Sequence, residues 1–452
     1  TLSGGIRLDM LNESTSEFTL GPHRWLPNRN TFYEAVEDVP NWKDINPRGS
    51  LAYDLFGNGK TALKASASRA VLQNSIALAN ANNPATTGQT QTQRTWSDAN
   101  GNFVPDCVLT NGAANGECGP WVVPSFGSSV PGTSYDRAIM EGWGVRPYNW
   151  EFSAGVQHEL MPRLSVSVAY FRRIYGNFNI LDNEALSASD FTRYSVLVPS
   201  TSTPGGTLPN AGQLIDGLYD PNILVAPRNV IKDASVFGKQ QYHWDGFDVS
   251  VDARLRNGLF LQGGVSSGKD LYDYCDIVDD LPEALTNPAG QAITSPLYTA
   301  PGVTIPAGSC RQETPFLTQW KGLASYTLPW YGIRVSGTFQ SLYGPPIVAT
   351  SIYNNANRTT TTTLPRPFTT GQANVNLYEP VSKYGDRLNQ IDLRFTKIVN
   401  VGRGRIDLSM DLFNAFNSDA VIGELGSFGP AWRLPLTVIQ PRFVKFQARY
   451  DF

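Results

Sequence analysis

The stretch Arg442-Phe443-Val444-Lys445-Phe446-Gln447-Ala448-Arg449-Tyr450-Asp451-Phe452 decides the fold. Counted back by twos from the terminus, Phe452, Tyr450, Ala448, Phe446 and Val444 share one side. Lys445, Gln447, Arg449 and Asp451 share the other. Successive side chains of a β-strand point to opposite faces, so this is a strand with one apolar and one polar face. The same period recurs upstream. Over 405–414, Ile406, Leu408, Met410 and Leu412 oppose Arg405, Asp407, Ser409 and Asp411. Over 247–256, Phe247, Val249, Val251, Ala253 and Leu255 oppose Asp248, Ser250, Asp252, Arg254 and Arg256. Over 150–159, Trp150, Phe152, Ala154 and Val156 oppose Glu151, Ser153, Gly155, Gln157 and Glu159. A face this polar fits a water-filled or plugged lumen, with the apolar face on lipid. A soluble antiparallel sheet with one wet face alternates in the same way, so connection lengths must decide.

About twelve strands are predicted, near residues 1–10, 47–56, 60–69, 148–160, 163–174, 244–256, 259–268, 316–328, 331–341, 388–399, 404–415 and 440–452. They come as hairpins. Tight turns fall at Phe56-Gly57-Asn58-Gly59, Met161-Pro162-Arg163, Arg256-Asn257-Gly258, Pro329-Trp330-Tyr331-Gly332 and Val401-Gly402-Arg403-Gly404. Gly and Asn there supply the positive φ that hairpin turns require. Between hairpins lie long polar segments at 11–46, 70–147, 175–243, 269–315, 342–387 and 416–439. Such loops count against a compact soluble domain. Short turns at one end and long loops at the other are the asymmetry of an outer-membrane barrel, with the loops extracellular. Aromatics near strand ends, among them Tyr53, Trp150, Tyr170, Phe171, Trp244, Trp330 and Tyr331, fit interfacial girdles.

Composition agrees. Of 452 residues, 41% are hydrophobic and only 17% charged, against about 25% charged in typical soluble domains. A net charge of −3 gives no reason to expect a nucleic-acid partner. No run of about 18 apolar residues occurs, so a transmembrane helix is excluded and a closed barrel is the remaining way to satisfy backbone groups in lipid. Thr1 to Met10 already alternates like a strand, not like a signal peptide. The chain is therefore expected to start after processing or inside a larger protein.

The terminal pattern Val444, Phe446, Ala448, Tyr450, Phe452 resembles the C-terminal β-signal that the barrel-assembly machinery reads in bacterial outer-membrane proteins. Two further stretches resemble TonB-dependent outer-membrane receptors. One is Asn41-Trp42-Lys43-Asp44-Ile45-Asn46-Pro47-Arg48 leading into Ala52-Tyr53-Asp54-Leu55-Phe56-Gly57-Asn58-Gly59-Lys60-Thr61. The other is Ile406-Asp407-Leu408-Ser409-Met410-Asp411-Leu412-Phe413-Asn414-Ala415-Phe416-Asn417, similar to a penultimate-strand motif of these barrels. The resemblance covers essentially the whole chain and leans to the Oar-like subgroup. It implies the C-terminal part of a barrel of about 22 strands, without its plug, TonB box and early strands. Residue 1 would then open about the eleventh strand, and the first loop would be extracellular as parity requires. It also implies active uptake of a bulky, scarce nutrient driven through the TonB complex, with outer-membrane lipid and an extracellular ligand as further partners. A passive pore of about twelve strands, or a structural or adhesive surface protein, is the alternative.

Cys107, Cys118, Cys275 and Cys310 all fall in polar loops. Four cysteines allow three pairings. The local pairing, 107 with 118 and 275 with 310, suits an oxidising exterior, and four free thiols are the other reading. Asp98, Asn100, Asn102 and Asp106 space oxygen side chains so that a tight loop wraps a hard cation such as Ca²⁺. The segment resembles calcium loops of thrombospondin type 3-like repeats, and an ordinary Asx-rich turn is the other reading. Asp273, Asp276, Asp279 and Asp280 read as a solvated acidic loop, with a metal or cationic-ligand site as the other reading. His158 falls on the apolar side of its strand near the expected membrane interface, His23 and His243 neighbour no nucleophile motif, and no serine-hydrolase, zinc-protease or phosphate-loop motif occurs, so no enzyme is expected. Ligand contacts are expected on the two longest loops, 70–147 and 175–243.

Overall fold

The computed structural model describes residues 1–73, 76–130, 132–255, 258–285 and 302–452. Twelve strands form one antiparallel sheet in strict chain order. They are β1 (Leu2–Asn12), β2 (Asn41–Asp54), β3 (Thr61–Val71), β4 (Tyr148–Met161), β5 (Leu164–Gly176) and β6 (Gln241–Arg254). The rest are β7 (Leu259–Asp273), β8 (Leu317–Thr327), β9 (Ile333–Leu342), β10 (Leu388–Val401), β11 (Gly404–Phe413) and β12 (Phe443–Asp451). Connections alternate without exception between tight turns and long loops, so every long loop emerges at one end. In the tight turns Arg163 and Tyr331 take φ of 72° and 63°, and Gly402 takes 59°. Gly258 closes the third of the expected turns with φ 83°; Arg256 and Asn257 lie outside the described residues.

Register explains why alternation in one strand becomes a wall. Between β11 and β12, Leu412 faces Val444, Met410 faces Phe446, Leu408 faces Ala448 and Ile406 faces Tyr450. On the opposite face Asp411 meets Lys445, Asp407 meets Arg449 and Arg405 meets Asp451. A one-residue slip would turn every apolar side chain to the polar side, so the two-sided pattern pins the pairing. The apolar series continues through Phe395 on β10, Phe339 on β9, Trp320 on β8, Val249 on β6, Val168 on β5 and Val156 on β4. It reaches Leu51 on β2 and Leu2, Ile6, Leu8 and Met10 on β1. These side chains are exposed, Ile6 and Phe446 both to 77%. An apolar face this continuous is what a bilayer covers. The polar face is concave: Asp248, Ser250, Asp252, Gln262, Lys321, Thr338, Gln340, Gln390 and Asp392 from β6 to β10 line a hollow of about 740 Å³. Lumen-side pairs include Arg394 with Asp411 at 2.5 Å, Arg173 with Glu151 at 2.5 Å, and Gln340 with Gln390 at 2.8 Å. Among the described residues β1 pairs only with β2, and β12 only with β11, so the sheet is an arc with two free edges.

Two boundaries differ from expectation by more than three residues. β2 begins at Asn41, six residues before the predicted start at 47. Residues 41–46 present Trp42, Asp44 and Asn46 to one side and have no apolar face, so periodicity cannot reveal them. Pairing holds them instead: Ile45 faces Leu8, Trp42 faces Leu11, and Asn41–Lys43 also pairs in parallel with Glu141–Trp143. β7 runs on to Asp273, past 268, because Leu271–Asp273 pairs with Arg311–Glu313.

The loops hold what the sequence did not show. They carry most of the buried core. Tyr194, Val196, Leu218, Tyr353, Leu364, Phe368, Val375, Leu377 and Trp432 form one cluster from three separate loops. Ile180, Tyr272, Tyr274, Ile277, Val278, Leu281 and Leu285 form a second. Short strand pairs frame them: Asn179–Asn183 with Asn229–Asp233, Phe191–Leu197 with Leu214–Pro221, and Thr350–Asn354 with Gln372–Asn376. The segments between barrel strands are thus a folded cap, not solvated coil.

Candidate functional site

Arg366 ties the cap together. Its guanidinium donates to Asp220 Oδ2 at 2.5 Å, to the Asp220 and Pro221 carbonyls at 3.0 and 2.9 Å, and to Asn222 Oδ1 at 2.9 Å. Asp220 also accepts from the Thr369 backbone N–H at 3.2 Å, and it is buried. A buried carboxylate is tolerable only when paired and hydrogen-bonded in this way. Alongside, Tyr353 Oη donates to the Leu197 carbonyl at 2.9 Å, and Trp432 Nε1 to that of Val348 at 2.8 Å. Three loops, 177–240, 343–387 and 414–442, thereby become one body.

Against this body lies a cavity of about 430 Å³. Its apolar wall is Ile180, Leu181, Phe191, Tyr219, Pro221, Pro227 and Pro282. Its polar groups include Asn183, Asn229, Glu283, Thr304 and Asn374. A mostly apolar hollow with a few convergent polar groups is the general form of a ligand site. Glu283 projects from the short turn Pro282–Leu285 and accepts from the Asn183 backbone N–H at 3.3 Å. Burial pushes its carboxyl above the ordinary value of 4.5. Asn374 Oδ1 is buried without a hydrogen-bond partner, while its backbone carbonyl accepts from Thr304 N–H at 2.8 Å.

The sequence-derived positions are distributed over the cap and the wall. Cys107 is bonded to Cys118 and Cys275 to Cys310, the local pairing. Asp98, Asn100, Asn102 and Asp106 do come together. Asn100 and Asn102 donate their amides to Asp106 at 2.5 and 2.9 Å. Asp98 accepts from the backbone N–H of Gly101 at 2.9 Å and of Phe103 at 3.0 Å. Of the acidic cluster, Asp276, Asp279 and Asp280 are exposed, as a solvated loop requires, but Asp273 is partly buried and pairs with Arg311 at 2.9 Å. His158 sits on the apolar side of β4, 2.8 Å from Thr61 Oγ1. Val444, Phe446, Tyr450 and Phe452 are exposed, and Val444 to Tyr450 continue the outer wall. No local signal marks Asp220, Arg366, Glu283 or Asn374. Arg366 sits in an unremarkable Pro-Arg-Pro, and its partner is 146 residues away.

Sheet, lumen face and cap together define an antiparallel β-barrel sheet of outer-membrane type. Among solved structures the chain is similar to the outer membrane transporter YddB from Escherichia coli, with 10% identity and TM-score 0.45, over 92% of this chain and 41% of that one. It is also similar to the FrpB iron transporter from Neisseria meningitidis, with 9% identity and TM-score 0.44, over 100% and 43%. The copper transporter OprC gives 12% and 0.41, over 100% and 45%. The chain therefore spans about two fifths of the length of these transporters. No family model and no curated protein matches it.

Proposed function

We propose that the protein is the C-terminal barrel arc of a TonB-dependent outer-membrane transporter of the Oar-like kind, taking up a bulky, scarce nutrient. The observation that carries this reading is the two-sided register. Exposed apolar residues rung by rung on one face and paired charges on the concave face suit lipid outside and an aqueous or plugged lumen inside. The free edges of β1 and β12 support an arc over a twelve-stranded pore, because a closed pore would pair them and lipid leaves unpaired backbone groups costly. The cap, with a cavity beneath it, favours selective capture of a ligand over passive flow.

In this reading the partners are outer-membrane lipid, the TonB complex acting through a plug outside these residues, an extracellular ligand, and the assembly machinery at Val444, Phe446, Ala448, Tyr450 and Phe452. Asp98, Asn100, Asn102 and Asp106 would hold Ca²⁺ by rotating the two amides so that their oxygens face inward. Chelation should then make the segment around Cys107 protease-sensitive, and unchanged resistance would leave the four oxygens as a turn. The decisive experiment is uptake by cells carrying the whole gene, with and without the inner-membrane energy source, beside sequencing upstream of Thr1. A plug and TonB box with energy-dependent uptake agree with the proposal. A signal peptide immediately before Thr1, with energy-independent flux, selects the pore.

A further inference from the structure

Glu283 and Asn374 converge on the 430 Å³ cavity from different loops. Asn374 Oδ1 has no hydrogen-bond partner but is closed off even from a water-sized molecule, so it is Glu283 that offers a ligand a charged acceptor. The other carboxylate in the wall, Asp220, is already committed to Arg366. No Lys, Arg or His occurs among the described residues that line the cavity. Just outside, Lys232 is held by Asp182 and Glu184 at 2.7 and 2.8 Å, and Arg228 by Glu184 at 2.5 Å. Those bases are therefore spent on their own acids. Asp276, Asp279 and Asp280 stand exposed on the same loop as Glu283. The approach and the interior are thus both negative, and the wall is apolar.

We propose that this cavity takes a short basic peptide, its guanidinium or ammonium received by Glu283 and its apolar stem laid on Phe191, Tyr219 and Pro221. The proposal deepens the transporter reading and rests on it for the supposition that the cap receives a ligand at all. The exposed acidic loop acquires a use, since a field of one sign raises the encounter rate with an oppositely charged ligand. Anionic ligands are disfavoured, because Glu283 would face them without a counter-charge.

The test uses the protein extracted from membranes, with both disulfides intact, and a blocked Phe-Arg-Pro tripeptide as probe. Counterparts with Gln or Glu in place of Arg complete the set, and binding is followed by calorimetry at low ionic strength. The Arg peptide should bind about ten-fold or more tightly than the Gln peptide, and the Glu peptide should not bind, as expected for one charge-assisted hydrogen bond in a partly dry site. Glu283→Gln should abolish the Arg-over-Gln preference. Asn374→Asp, which adds a charge to the lining, should enlarge it, and it serves if the first variant does not fold. Equal binding of the three peptides, no binding of any, or a preference unchanged in both variants would overturn the proposal. The transporter reading is judged separately by energy-dependent uptake in cells, so either can fail alone.

Discussion

Replacing Arg366 by Met removes every donor that Asp220 receives from that side chain while keeping its length and much of its packing. Asp220 stays buried, with the Thr369 N–H still in reach. Breaking one partner of a buried pair costs about 3–5 kcal/mol, because the remaining charge is uncompensated. The pair joins loop 177–240 to loop 343–387, and both belong to the cap. The cost should therefore fall on cap opening rather than on the twelve-stranded sheet. It corresponds to a rise of roughly two to three and a half powers of ten in the opened population. Limited proteolysis reads that population, and cleavage within 177–240 and 343–387 should accelerate while the sheet fragment persists. Asp220→Asn in the same chain should recover part of the loss, since it removes the stranded charge. Cleavage no faster than in the unaltered protein would refute the reasoning. So would a double variant no better than Arg366→Met.

Three further outcomes follow from the same geometry. Met410→Arg, on the apolar face of β11, should impair insertion by about 2–4 kcal/mol if it lies near the bilayer midplane, whereas Thr338→Arg on the lumen side should be tolerated; heat-modifiable electrophoretic mobility distinguishes them. Reducing the disulfides removes loop-closure constraints from the unfolded state, about 3 kcal/mol for the 11-residue separation at Cys107–Cys118 and about 4 for the 35-residue one at Cys275–Cys310; cap proteolysis should therefore be faster with reductant. Glu283 has a folded-state pKa raised above 4.5 by burial, so the folded cap binds the proton more tightly than the unfolded chain and cap stability should fall as pH rises from about 4.5 through the raised value. Glu283→Gln should flatten that dependence in cap melting or proteolysis between acid and neutral pH, and an unchanged profile would remove the carboxyl from consideration.

The sheet was legible in the sequence because a strand writes its two environments residue by residue. Val444, Phe446, Ala448 and Tyr450 against Lys445, Gln447 and Arg449 need no partner to be recognised, and four of the five tight turns carry Gly, while Arg163 takes the positive φ in the turn 161–163. All twelve strands follow from this local signal, as does the alternation of short and long connections. Residues 41–46 escaped it because they lack an apolar face and are held by Leu8 and Leu11 on β1. Of the three cysteine pairings the sequence allowed, it favoured the local one, 107 with 118 and 275 with 310, and that is the pairing present. The cap was illegible for a stronger reason. Its core joins Tyr194, Leu218, Tyr353, Val375 and Trp432 across three loops, and its central ion pair spans 146 residues. Side chains so far apart show no periodicity, so nothing local distinguishes Asp220 or Glu283 from a solvated acid. Local alternation determined the wall of the barrel; long-range packing alone decided that the loops are a body, and where in that body a ligand has room.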